Sequence, residues 1–189
     1  MLYTLGKLTV CCFLALFFKV DIKGQNVVPS KGPFILASNH VSYFDPPLLG
    51  TVIKRRVWSL AKEELFCNWL VRAFLKELGA IPLKRKTNDF RAMRQALLIL
   101  KQSPLLLFPQ GFIGAPWDEI NSGVGFLAKK TGVPVIAARI YGAENIFPLF
   151  KRGFHKEEIR VIFSRVDEIR PKDTREEITD KVMAKIKSL

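Results

Sequence analysis

Two short runs without charge, Phe34-Ile35-Leu36-Ala37-Ser38 and Pro104-Leu105-Leu106-Leu107-Phe108, each stop abruptly at a polar loop. Runs of this length and composition predict strands covered on both faces, as in the interior of a parallel sheet. Further strands are predicted at 20–25, 57–61, 80–83, 133–140 and 159–163. Segments with helical spacing lie between them, at 48–53, 63–78, from Asn88 or Asp89 to Gln102, at 123–131 and at 174–187. In the 63–78 helix, Leu65, Phe66, Trp69, Leu70, Phe74 and Leu78 share one broad face, which is expected to pack on the core. Strands alternate with helices throughout, which predicts an α/β fold with helices on both faces of the sheet. The 189 residues suit one domain, with no internal repeat and no linker.

The N-terminus requires its own reading. Leu8 to Phe18 (LTVCCFLALFF) carries no charge and is flanked by Lys7 and Lys19. As a helix, eleven residues span roughly 16 Å, about half a bilayer core. Residues 1–19 are therefore expected to form a hydrophobic helix that associates with a membrane from one side, and 20–189 the remaining domain. A buried core helix is the alternative. There is no basic leader region and no small-residue cleavage site, which argues against a removed signal peptide.

Composition narrows the partners. A net charge of +13 favours anionic ligands: phosphorylated molecules, acidic lipid or nucleic acid. No helix-turn-helix, finger or aromatic RNA-binding pattern accompanies it, so nucleic acid is not predicted. The three cysteines have neither metal-ligand nor disulfide spacing, and no metal site is predicted.

Chemistry is expected where the strands end. The first buried strand runs into Asn39-His40, with Asp45 five residues beyond the histidine. A turn that folds Asp45 under the imidazole would fix its tautomer and leave the other ring nitrogen as a general base. Asp45 before Pro46-Pro47 also reads as a plain helix cap. The Gly123–Ala128 segment fits G-x-G-x-x-A, with Glu144 further on, but polar residues precede it where a strand is needed, so close helix packing is the better reading. No G-x-S-x-G serine elbow is present. His155 sits in a polar stretch and is given no role.

The ordered set is more specific than any one piece. Asn39-His40-Val41-Ser42-Tyr43-Phe44-Asp45 matches NHxxxxD, Gly79–Arg85 (GAIPLKR) forms a second block, Phe108-Pro109-Gln110-Gly111 a third, and Gly132–Ile136 (GVPVI) a fourth. In this order they resemble the glycerolipid acyltransferase superfamily, which includes bacterial 1-acylglycerol-3-phosphate acyltransferases. The resemblance runs from about residue 20 to 165. It implies a glycerol-3-phosphate acyltransferase-like fold, a mixed and mostly parallel sheet, and transfer of a fatty acyl group to a lysolipid hydroxyl in phospholipid biosynthesis. His40 and Asp45 would be the catalytic pair. Arg85 and Lys84 would hold the acceptor's phosphate, and the remainder of the cluster with Lys86, Arg91 and Arg94 reads as a solvated face. Gln110 and Gly111 would border the substrate, with backbone N–H groups near Gly111 facing the oxyanion. No resident cofactor is implied; acyl-CoA or acyl carrier protein is the co-substrate, and the expected partners are that donor, a lysolipid acceptor and an anionic membrane. The expected location is the cytoplasmic face of the cell membrane. Apart from the resemblance, the alternative for a share of the face with Phe66, Trp69 and Phe74 is that it meets lipid or lines an acyl pocket, since aromatics and leucines suit all these environments.

One block departs from the family pattern. FPEGTRS is usual, yet Gln110 replaces the glutamate and Phe112-Ile113 stand for threonine and arginine. A charge-assisted grip on glycerol phosphate is lost there. Acyl transfer to a non-phosphate acceptor, such as a lyso-aminolipid or glycolipid, is one alternative that follows, and a non-catalytic basic membrane-binding protein is another.

Overall fold

The computed structural model describes residues 2–84, 89–146 and 157–189. Its centre is a seven-stranded sheet: β1 (Phe18–Lys23), β2 (Ile35–Ser38), β3 (Trp58–Lys62), β4 (Ala80–Leu83), β5 (Leu105–Leu107), β6 (Val135–Tyr141) and β7 (Glu157–Arg165). In space the order is β1-β7-β6-β2-β5-β3-β4. Every neighbouring pair is parallel except β6 with β7. The helices are α1 (Leu2–Phe17), α2 (Asp45–Val52), α3 (Trp69–Glu77), α4 (Phe90–Ile99), α5 (Gly123–Thr131) and α6 (Arg175–Ser188).

Sequence alternation explains the layering. Leu36, Leu106, Ile136 and Ala138 point to one face of the sheet and join Leu14 of α1 and Leu48 and Leu49 of α2 in one core cluster. Their neighbours Ile35, Ala37, Leu105 and Val135 point the other way and pack with Ala96 of α4, Leu127 of α5 and Val182 of α6. Every residue of β2 and β5 is buried, which is why both read as unbroken uncharged runs. Gly125 sits where a Cβ would lie 1.8 Å from the Arg175 carbonyl oxygen, so the glycine-rich segment serves the packing of α5 on α6.

β2 lies between β5 and β6, and the chain builds the sheet outward on both sides of it. Loops that follow the C-terminal ends of β2 and β5 are therefore neighbours, and a crevice opens above them.

The helix expected over 1–19 is present as Leu2–Phe17, and one other expectation needs correction. The N-terminal helix begins at Leu2 and takes in Lys7, whose ammonium donates to the Ile53 carbonyl at 2.5 Å; burial holds that ammonium below the usual lysine range. One side of α1 packs, with Leu14 buried, while Leu5, Leu8 and Leu16 are exposed. It is thus half core helix and half open surface. Among the described residues, no helix is long and apolar enough to cross a membrane.

The single helix predicted over 63–78 is broken. Glu63–Phe66 is a 3-10 turn, and α3 starts afresh because the Asn68 side chain accepts from the Leu70 and Val71 amides. Phe66 is buried as expected, but Trp69 is 72% exposed, and Leu65, Leu70 and Phe74 are also exposed. Most of that apolar face does not reach the core.

Candidate active site

Asn39 extends the sheet by one more pairing. Its side chain donates to the Ile140 carbonyl at 2.9 Å and accepts from the Ile140 amide at 2.8 Å, imitating a strand residue and pinning the end of β2 to β6. His40 follows, held above the crevice.

The turn from Val41 to Phe44 brings Asp45 back beneath His40. Asp45 is fully buried, and its Oδ2 lies 2.8 Å from His40 Nδ1. The same oxygen accepts from the Val41 amide at 2.7 Å and the Ser42 amide at 2.9 Å. A carboxylate acceptor places the ring proton on Nδ1, which leaves the Nε2 lone pair directed away from Asp45. Asp45 is the first residue of α2 and makes no capping hydrogen bond to that helix, so the helix-cap reading fails.

The loop after β5 supplies the other contacts to the histidine. Phe108 stacks on the imidazole, with ring centroids 4.0 Å apart and planes 17° from parallel. Gln110 Oε1 accepts from the His40 backbone amide at 3.2 Å, and the Gly114 amide donates to the His40 carbonyl at 3.0 Å. Gln110 is 4% exposed, and its Nε2 donates to the Ala115 carbonyl at 2.7 Å. Both ends of its amide are thus engaged with the protein, one bond at each end. Gly111 borders the cavity below, but its amide donates to the Phe108 carbonyl at 2.9 Å and closes a turn rather than facing an oxyanion. With φ at 79° and Asn121 Nδ2 2.6 Å from where a Cβ would stand, only glycine fits there.

The second block is only partly visible. Lys84 is exposed at the end of β4, its ammonium 3.8 Å from the Glu63 carboxylate, and its amide donates to Asp89. Arg85 and Lys86 lie outside the described residues, as does His155.

His40 opens onto a cavity of about 680 Å3 that runs between the sheet, α1, α2 and α3. Its wall includes Pro47 and Thr51 of α2, Leu60 of β3, Phe74 of α3 and Leu78 just after it, and Lys7 of α1. It is mostly carbon-lined and has His40 in its wall, a setting that suits a hydrocarbon chain beside a polar group. Among the described residues, no cluster of histidine, cysteine and carboxylate side chains could hold a metal ion.

The pattern described as Acyltransferase matches residues 19–141, well over half of the chain. The chain belongs to the acyltransferase family. This acyltransferase is 25% identical over 136 residues to a 1-acyl-sn-glycerol-3-phosphate acyltransferase of Bacillus subtilis, covering 71% of this chain and 68% of that one. It is 27% identical over 168 residues to the chloroplastic 1-acyl-sn-glycerol-3-phosphate acyltransferase BAT2 of Brassica napus, covering 85% of this chain but only 48% of the plant protein. The chain thus spans about half the length of that relative. The acyltransferase also shares its fold, at a TM-score of 0.74 and 24% identity, with the crystal structure of the 1-acyl-sn-glycerophosphate acyltransferase of Thermotoga maritima, covering 99% of this chain and 76% of that one.

The sequence reading missed three members of the site. Phe108 was visible as part of a block, but not as the stacking partner of His40. Asn39 and Gly114 act through backbone groups more than 70 residues away in sequence, and only the strand order brings them together.

Proposed function

We propose that this acyltransferase moves a fatty acyl group from acyl-CoA or acyl carrier protein to the free hydroxyl of a lysolipid, 1-acylglycerol-3-phosphate being the first acceptor to test. Support comes from one juxtaposition: a histidine–aspartate pair, 2.8 Å apart and buried, whose histidine lines a mostly apolar cavity. His40 Nε2 takes the hydroxyl proton as the oxygen attacks the thioester carbonyl, and Asp45 holds the imidazolium that forms. The tetrahedral intermediate then collapses, the carbon–sulfur bond breaks, and the same proton passes from Nε2 to the departing thiolate. The acyl chain lies in the cavity throughout. The half-open α1 holds the domain at the cytoplasmic face of an anionic membrane, as a peripheral or monotopic attachment.

A second reading keeps this chemistry and changes the acceptor. Phe112 is 43% exposed, and with Ile113 it puts carbon where relatives of this family carry threonine and arginine. That surface favours an uncharged headgroup. The test is a product assay with purified protein, labelled acyl-CoA and acyl carrier protein, and lysophosphatidic acid beside neutral lysolipids. Acylated product that disappears in His40→Ala supports the function. No product from any donor–acceptor pair, or undiminished product from His40→Ala, refutes it.

A further inference from the structure

The strongest surface anomaly is α3. Among its residues none is buried, and Trp69, Leu70, Val71 and Phe74 present large apolar side chains to solvent, with Leu65 just before them. A monomeric domain rarely leaves so many adjacent apolar side chains uncovered. α1 has a similar outer side, where Leu5, Leu8, Leu16 and the uncharged Thr9, Cys11 and Cys12 are exposed.

The two helices meet at the cavity. A Cβ on Gly6 of α1 would lie 3.5 Å from Leu78 at the end of α3, and Gly6, Val10, Phe74 and Leu78 all line the wall. Leu65 and Phe74 belong both to the lining and to the exposed patch. The apolar interior and the apolar exterior are therefore continuous across α3.

We infer that α3 is a second bilayer-contacting element, which inserts Trp69, Leu70 and Val71 among anionic lipids and sets the mouth of the cavity against the acyl region of the leaflet. This rests on the acyl-transfer reading for what passes through the mouth, but not for the contact itself. A bilayer is the fitting occupant because a protein seated on Leu65 and Phe74 would cover the cavity opening, whereas a leaflet delivers chains to it. The net charge of +13 selects anionic over neutral lipid. Trp69 supplies the amphipathic ring favoured at that depth.

The test uses the full chain, the Trp69→Gln/Leu70→Gln variant, and vesicles of phosphatidylcholine alone or mixed with phosphatidylglycerol. Neither residue lines the cavity. Wild type should bind the anionic vesicles, and the variant should bind them about tenfold or more weakly, since two large side chains no longer enter lipid. Brominated lipid should quench wild-type tryptophan fluorescence, and Trp69→Phe should remove most of that quenching. Turnover on monomeric, detergent-dispersed acceptor should be the same in variant and wild type, while turnover on acceptor embedded in vesicles falls. Equal vesicle binding by variant and wild type, absence of Trp69 quenching, or equal affinity for neutral vesicles overturns the inference. So does a wild-type dimer in solution that Trp69→Gln dissociates, since a second copy would then cover the face. If wild type shows no turnover on any acceptor, the enzymatic reading fails, and the binding and quenching results still decide the role of α3.

Discussion

Gln110→Glu puts at this position the glutamate of the FPEGTRS pattern that the third block resembles, yet the structure predicts harm rather than repair. Gln110 uses one acceptor and one donor: Oε1 receives the His40 amide, and Nε2 donates to the Ala115 carbonyl at 2.7 Å. An ionised carboxylate can accept from His40 but cannot donate, so it would face the Ala115 carbonyl oxygen in a buried site. Leaving that carbonyl unpaired costs about 1–3 kcal/mol. For a chain of this size a loss of 2 kcal/mol lowers Tm by roughly 4–8 °C. Protonation relieves the conflict, because the carboxylic acid can donate again, so the introduced group has a raised pKa in the folded state. Its penalty is absent below the ordinary glutamate pKa of about 4.3 and grows as pH rises through the folded value. Thermal melts at pH 4 and pH 7.5 should show the variant close to wild type in acid and clearly less stable at neutrality. Turnover should drop about tenfold or more, since the His40 peptide is held through this amide, with little change in acceptor KM. Unchanged melts at both pH values, together with improved use of lysophosphatidic acid over a neutral acceptor, would refute the reasoning.

Other perturbations probe neighbouring contacts. His40→Ala should abolish product formation without lowering Tm by more than a few degrees, and Asp45→Asn should reduce turnover about a thousandfold or more by misorienting the imidazole; a product assay and a melt on each protein check both. Gly111→Ala places a Cβ against Asn121 at a φ of 79° and should cost about 1 kcal/mol or more in urea unfolding, with a fall in turnover as the loop shifts. Asp89 accepts from the Lys84 and Ala92 amides, which hold its carboxyl below the usual range. Its folded pKa is depressed, so the stability difference between wild type and Asp89→Ala, about 1 kcal/mol, should be present above pH 4 and shrink as pH falls further, measured by denaturation at pH 7 and pH 3.

Most of the fold was legible because it follows from local period. The 80–83 strand and the 123–131 helix fall at the predicted positions, and the two fully buried runs became central strands. The failures share a cause. Leucine, tryptophan and phenylalanine at helical spacing announce an apolar face but not what covers it, and in α3 the face was read as core when it is open. In the site, the His40–Asp45 contact depends on a five-residue turn and was foreseeable. The contacts of His40 with Gln110, Gly114 and Phe108 depend on β5 lying beside β2, which no local pattern encodes.

That adjacency separates chemistry from selectivity. Three of the four contacts that hold His40 come from the loop after β5, through Phe108, Gln110 and Gly114, and the fourth from Asp45. Under the acyl-transfer reading, a base held in this way would deprotonate any hydroxyl placed at Nε2, whatever headgroup lies beyond. Discrimination must then come from what surrounds the headgroup. Under the acyl-transfer reading, the third block would offer it Phe112 and Ile113, while the amide of Gln110 is engaged within the protein. Each charge-assisted hydrogen bond to a phosphate contributes about 1.5–3 kcal/mol, a factor of ten to a hundred in affinity. Under the acyl-transfer reading, a phosphorylated acceptor therefore depends on the cations of the second block, Lys84 and Arg85, for its advantage over a neutral one. A neutral acceptor needs neither, and meets at Phe112 a surface of its own kind. Under the acyl-transfer reading, the rate of the chemical step and the ratio between acceptors would thus be set by different residues, the first by the grip on His40 and the second by the charged residues of the second block.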